Sequence, residues 1–153
     1  MKVTSGLIEA HVFRKQNDGI EFLLLKRSEN ENYGGIWQMV TGSIDEGEKA
    51  YDTALREIKE ETGLTPEKLW VVPNVNSFYS PEKDALFMIP VFAALVNNDA
   101  VVISSEHSEY QWVDKEKAKS LLAWNGQRKS VDTIYQYFES ENPVLYFNEI
   151  NFR

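Results

Sequence analysis

The chain of 153 residues contains no cysteine. That excludes disulfides and thiolate metal sites, and it makes a reducing cytosol, hence a cytoplasmic location, the simplest expectation. Nowhere is there an apolar run of about 18 residues, the length a membrane-spanning helix needs, so no membrane association is expected. The start, Met1-Lys2-Val3-Thr4-Ser5-Gly6, has a lone lysine and no apolar stretch leading to a cleavage site, so no secretory signal is expected. Basic residues are also scarce: 16 Lys and Arg stand against 24 Asp and Glu, a net charge of −8. A nucleic-acid polymer is therefore not expected as a partner, because a phosphate backbone is bound by clustered Lys and Arg. Repeats, linkers and low-complexity segments are missing too. What remains is 42% hydrophobic, enough for a packed globule and too much for a disordered chain. The length suits a single domain spanning 1–153.

The acidity is concentrated. Residues 42–64 hold seven acids (Asp45, Glu46, Glu48, Asp52, Glu57, Glu60, Glu61) and three bases (Lys49, Arg56, Lys59). An anionic ligand can approach such a surface only with metal ions in between. Within Arg56-Glu57-Ile58-Lys59-Glu60-Glu61, the three glutamates fall at i, i+3 and i+4. On a helix they share one arc of about 100°, where like charges oppose folding by a few tenths of a kcal/mol per pair. Such a site suits a hard divalent cation, Mg²⁺ above all, with Mn²⁺ as the alternative. The bland reading is a solvated acidic helix face, which most charge runs are.

Along the chain, Leu7–Arg14 and Ile20–Lys26 flank Asn17-Asp18-Gly19 and are predicted to form a hairpin. Ile36–Val40 is predicted as a short strand running into the Gly42 loop. The helical period from Lys49 to Thr62 puts Tyr51, Ala54, Leu55 and Ile58 in a stripe beside the acidic arc. The helix can thus pack on a sheet while presenting Glu57, Glu60 and Glu61 to a cleft. Gly63 is a left-handed stop and Pro66 prevents continuation. Further strands are predicted at Leu69–Val72, Ser77–Tyr79, Ala85–Val96, Val101–Ile103 and Tyr110–Val113, then helices at about 114–122 and 127–139. Val144-Leu145-Tyr146-Phe147 reads equally as a last strand or a docked segment. The class is α/β, a mixed sheet covered by helices.

From Gly42 through Glu48 and Arg56-Glu57 to Glu60-Glu61, Gly63 and Leu64, the chain resembles the Nudix box, Gly-x5-Glu-x7-Arg-Glu-U-x-Glu-Glu-x-Gly-U with U aliphatic. It matches every specified position, and chance would give that with odds on the order of one in a billion per start site. The resemblance implies an α/β/α sandwich with the box as a loop–helix–loop beside the sheet. It also implies hydrolysis of a diphosphate bond in a small phosphate-ester substrate. That chemistry requires neutralised phosphate oxygens, a deprotonated water and a stabilised leaving group, all of which Mg²⁺ can supply.

Glu57, Glu60 and Glu61 are assigned to metal binding, and by resemblance the Gly42 carbonyl joins them. Arg56 is expected to hold a box carboxylate by a bidentate pair. Glu48 is placed on the side of the helix away from Glu57, as a brace. By resemblance Glu106, in Glu106-His107-Ser108-Glu109-Tyr110-Gln111-Trp112, is a further metal ligand or the general base; the sequence leaves the base open between Glu57 and Glu106. His107 is read as a loop or supporting histidine. Lys26 and Arg27, at a strand end, are candidates to hold phosphates or simply solvated charges. Trp37 and Trp124 are either packing residues or stacking partners for a planar ring, with Gln38, Thr41 or Asn125 supplying a polar contact.

Trp37-Gln38-Met39-Val40-Thr41-Gly42-Ser43, the segment from Glu106 to Trp112, and Trp124-Asn125-Gly126-Gln127-Arg128 resemble one branch of the family. These are the dihydroneopterin triphosphate pyrophosphatases, often labelled dATP pyrophosphohydrolases. The branch implies a pterin or (deoxy)nucleoside triphosphate cleaved to pyrophosphate and a monophosphate. A dinucleoside polyphosphate or nucleotide-sugar substrate keeps the same chemistry. A third reading is a nucleotide sensor without turnover, which the complete set of box carboxylates disfavours. A monomer and a homodimer are equally compatible with the sequence.

Overall fold

A computed structural model describes residues 1–97, 100–140 and 145–153. The predicted hairpin forms from β2 (Leu7–Gln16) and β3 (Gly19–Arg27), antiparallel, with Phe13 opposite Phe22. β1 (Lys2–Thr4) precedes it, too short and exposed to show an alternation in the sequence. After β3 the chain makes two short strands, β4 (Trp37–Gln38) and β5 (Val40–Ser43), where one was predicted. The break at Met39 is a change of partner. Gln38 lies opposite Leu25 of β3, whereas Val40 lies opposite Ala10 of β2.

The helix α1 (Ala50–Thr62) has Lys49 as its N-cap residue and Gly63 as its C-cap, where φ is 75° and the amide donates to the Lys59 carbonyl. A side chain would strain that left-handed turn. Ala54 and Ile58 are fully buried, and truncating a side chain like Ile58 to Ala costs about 2–5 kcal/mol.

Leu69–Val72 and Ser77–Tyr79 belong to one strand, β6 (Lys68–Ser80), paired along β7 (Ala85–Leu95) with a register shift between Val71 and Val75. Pro73 sits inside that shift and has no N–H to give a ladder, which explains the interruption seen in the sequence. Val101–Ile103 does not form a strand. It runs past the end of α1, where the Val102 amide donates to the Thr62 carbonyl. β8 (His107–Val113) pairs with β3, followed by α2 (Lys115–Leu121), α3 (Asn125–Glu139) and β9 (Asn148–Ile150). Within the described part of the tail segment, residues 145–147, the docked alternative holds and no strand forms; the last strand comes after it. Phe147 is buried and stacks on Tyr137 at 4.1 Å, and β9 then pairs with β6; Val144 lies outside the described residues.

The strands join in the order β4-β3-β2-β7-β6-β9, with β8 on β3, β5 on β2 and β1 on β7. The β2–β7 and β1–β7 pairs are parallel and the rest antiparallel, so the sheet is mixed. Alternation along each strand builds two cores. Ile8, Ala10, Val12, Leu23 and Leu25 pack under α1, whereas Phe13, Phe22, Leu24, Val91 and Ala93 pack under α2 and α3. The result is the α/β/α sandwich. No helix among the described residues is long and apolar enough to cross a membrane.

Candidate active site

On the α1 face, Gly42 of β5 lies against Glu57. A Cβ at Gly42 would collide with the Glu57 carboxylate, so only glycine admits this approach. One turn further, Glu61 is 2% exposed and neither carboxylate oxygen has a hydrogen-bond partner. Burial, and then the neighbouring Glu57 carboxyl and the charge of Glu106, push the Glu61 carboxyl up to about 10, with Arg27 opposing. A carboxylate there needs a cation that the protein's own side chains do not supply.

The opposite wall comes from the start of β8. The Ser28 amide donates to the Glu106 carbonyl and the Ser28 hydroxyl to the Ser105 carbonyl, each at 2.9 Å, pinning that loop to the end of β3. This brings Glu106 and His107 to Glu61, and one potential ligand atom from each of the three lies within 4.8 Å of the others. His107 Nε2 is 3.7 Å from Glu61 Oε1 and accepts a hydrogen bond from the Gln38 amide at 3.1 Å. Burial, with the Arg27 charge second, lowers the His107 imidazole to about 4, so at neutral pH it is a neutral acceptor or ligand.

Arg56 is the brace of the site. Its Nε donates to Glu48 at 2.8 Å, its Nη1 to Glu57 at 2.8 Å and Glu60 at 3.2 Å, and its Nη2 to the Ser43 carbonyl at 3.0 Å. Glu48 precedes the helix instead of lying across it from Glu57, and one guanidinium joins the two. Hydrogen bonds from Arg56 and then Thr53 hold Glu48 down at about 2.

The structure thus gathers Gly42, Glu57, Glu61 and Glu106, and adds His107. Glu60 turns outward, exposed, onto Arg56. The substrate candidates separate by strand alternation. Arg27 stands on the α1 face close enough to Glu61 and His107 to shift both, while its Nε donates to the Asn32 carbonyl. Lys26 takes the other face and pairs with Glu109 at 3.4 Å. Gln38, paired with ring recognition in the sequence reading, lies instead against His107, because Trp37 and Gln38 are consecutive strand residues and face opposite ways. Trp37 packs on the core beneath α3. Trp124 is 43% exposed at the start of α3, edge-on to Tyr33 with centroids 5.7 Å apart. His107 was the residue the sequence undervalued. Its signal was adjacency to Glu106, but only the β3–β8 register, with His107 opposite Arg27, turns it inward.

Known proteins resemble this chain in sequence and in fold. The bis(5'-nucleosyl)-tetraphosphatase [asymmetrical] of Caenorhabditis elegans is 33% identical over 116 residues, 74% of this chain and 80% of that protein. The structure of a C. elegans Ap4A hydrolase binary complex superposes with a TM-score of 0.71 at 24% identity, over 91% of this chain and 98% of that one. That of the Escherichia coli dihydroneopterin triphosphate pyrophosphohydrolase gives 0.69 at 23% identity, over 87% and 94%. The family model described as NUDIX domain matches residues 8–134. The box, its fold and this match together make the chain a member of the Nudix hydrolase family.

Proposed function

We propose that this protein is an Mg²⁺-dependent pyrophosphohydrolase that cleaves a diphosphate bond in a (deoxy)nucleoside triphosphate or in dihydroneopterin triphosphate, releasing pyrophosphate and a monophosphate. The observation that carries the reading is Glu61, a buried carboxylate with both oxygens unpartnered beside Glu57 and Glu106. Glu57, Glu61, Glu106 and the Gly42 carbonyl are the groups that would hold the metal, with Glu60 at the outer edge; Mn²⁺ suits the same oxygen donors. When bound, Mg²⁺ neutralises the phosphate oxygens and acidifies the attacking water. Glu57 or Glu106 takes the proton from that water, and Arg56 keeps Glu57 in place without touching substrate. Arg27, beside Glu61 and His107, is the side chain that would meet a phosphate oxygen. Lys26, committed to Glu109 on the other face, is not.

A second reading, hydrolysis of a dinucleoside polyphosphate, is favoured by the bis(5'-nucleosyl)-tetraphosphatase relative. The test is a panel of dihydroneopterin triphosphate, the common NTPs and dNTPs, diadenosine polyphosphates and nucleotide sugars, read by product identity. Pyrophosphate with a monophosphate supports the first reading. A nucleoside triphosphate released from diadenosine tetraphosphate, with the triphosphates themselves uncut, supports the second.

A further inference from the structure

β2 buries a second carboxylate that the hydrolytic site leaves unused. Glu9 is 4% exposed, and its neighbours Ile8 and Ala10 belong to the core under α1, so Glu9 faces α3. Its Oε1 accepts from the Asn76 amide at 3.0 Å and its Oε2 from the Gln127 amide at 3.1 Å. These two donors do not replace the water lost. Burial raises the Glu9 carboxyl above its ordinary range, and the hydrogen bonds from Asn76 and Gln127 only partly offset it. Gln127 itself is buried and its Oε1 has no partner. The cluster is therefore rich in acceptors and short of donors.

Two contacts link it to the segment carrying Trp124 and to the strand carrying Gly42. α3 begins hard against Asn76, with no room for a Cβ at Gly126, which fixes the half-exposed Trp124 three residues from Gln127. Across the sheet, Glu9 lies opposite Thr41, the residue before Gly42. A flat ring with N–H groups along one edge would meet the acceptors of Glu9 and Gln127 and place a face against Trp124.

We propose that Glu9 is the specificity-determining residue of a ring subsite on the α3 face, selecting the 2-amino-4-oxopyrimidine edge common to guanine and pterins over the edge of adenine. The inference rests on the triphosphate reading above. On the guanine or pterin edge a ring N–H and an exocyclic NH₂ stand side by side, a donor pair that matches one carboxylate. Adenine offers one donor beside a ring nitrogen lone pair, which would oppose the carboxylate. A buried acceptor left unpaired discriminates strongly against the wrong ligand.

The test compares kcat/KM for GTP, dihydroneopterin triphosphate and ATP in the wild type and in Glu9→Gln, with melting temperatures alongside. Affinities for α,β-methylene GTP and α,β-methylene ATP, read by tryptophan fluorescence, report the ring preference independently of turnover. The wild type should favour the guanine or pterin ring by at least about tenfold, in catalysis and in binding. In Glu9→Gln that ratio should fall toward one, with the larger loss on the guanine and pterin substrates. A wild type indifferent to the ring overturns the proposal without any variant, as does a Glu9→Gln protein that weakens all three substrates equally with a lower melting temperature. Absent hydrolysis of every triphosphate, with the guanine preference still seen in binding, would sink the triphosphate reading and leave the ring subsite standing.

Discussion

The space a Cβ would occupy at Gly42 is already filled by the Glu57 carboxylate. The first glycine of the box is thus required by close approach and not by backbone conformation, since Gly42 is not among the positive-φ residues. Gly42→Ala should displace Glu57 and lower kcat by about a hundredfold, the scale expected for a misplacement near 1 Å. Melting temperature should change little, because Glu57 can swing toward solvent. A Gly42→Ala enzyme of normal kcat would show that the contact is incidental.

The acids separate by environment. Glu61→Gln keeps the shape of a buried side chain and removes the charge a cation requires, so kcat should fall by several orders of magnitude. Mg²⁺ should also cease to raise the melting temperature, an increment the wild type should show through linkage. Glu60→Gln, at the exposed end of the Arg56 network, should weaken metal binding and turnover less. Glu109→Gln, exposed and paired with Lys26, should be nearly silent. Equal losses at Glu109 and Glu61 would show that the site is placed wrongly.

The two tryptophans should part company. Trp37 packs on the core, so Trp37→Ala should lower stability by about 1–3 kcal/mol and leave KM unchanged. Trp124 is half-exposed, and its replacement by Ala should raise KM by the equivalent of about 1–3 kcal/mol of lost stacking with little change in melting temperature. Unchanged KM in both variants would end the stacking idea.

His11 supplies the pH dependence. It is 1% exposed, its Nε2 has no partner, and burial lowers it from 6.5 to about 4. A histidine depressed in the folded state contributes stability that is fully present above pH 6.5 and is lost as pH falls toward 4. The denaturation midpoint should therefore drop between neutral pH and pH 4.5, and His11→Gln should remove part of that drop. An identical acid loss in both proteins would assign it to other groups.

The residues that could be read from the chain are those whose signal is local. The helical period of Tyr51, Ala54, Leu55 and Ile58 and the Gly63 stop located α1, and Asn17-Asp18-Gly19 located the hairpin. What escaped depends on partners distant in sequence. The β4–β5 break follows from a switch between β3 and β2, and the loss of a strand at Val101–Ile103 from a place beside the end of α1. Glu9 and His11 look like the solvent side of β2 by alternation, and become buried because α3, more than a hundred positions later, covers that face. Inside the site, the box spacing brought Glu57 and Glu61 together, whereas the inward turn of His107 required the β3–β8 register.

The most direct test of the central claim is product analysis on dihydroneopterin triphosphate and the common nucleoside triphosphates, with Mg²⁺ and then with excess chelator. Pyrophosphate and the matching monophosphate should form with Mg²⁺, stop with chelator, and return when Mg²⁺ or Mn²⁺ is restored. Undiminished turnover in chelator would contradict a reaction built on Glu57, Glu61 and Glu106.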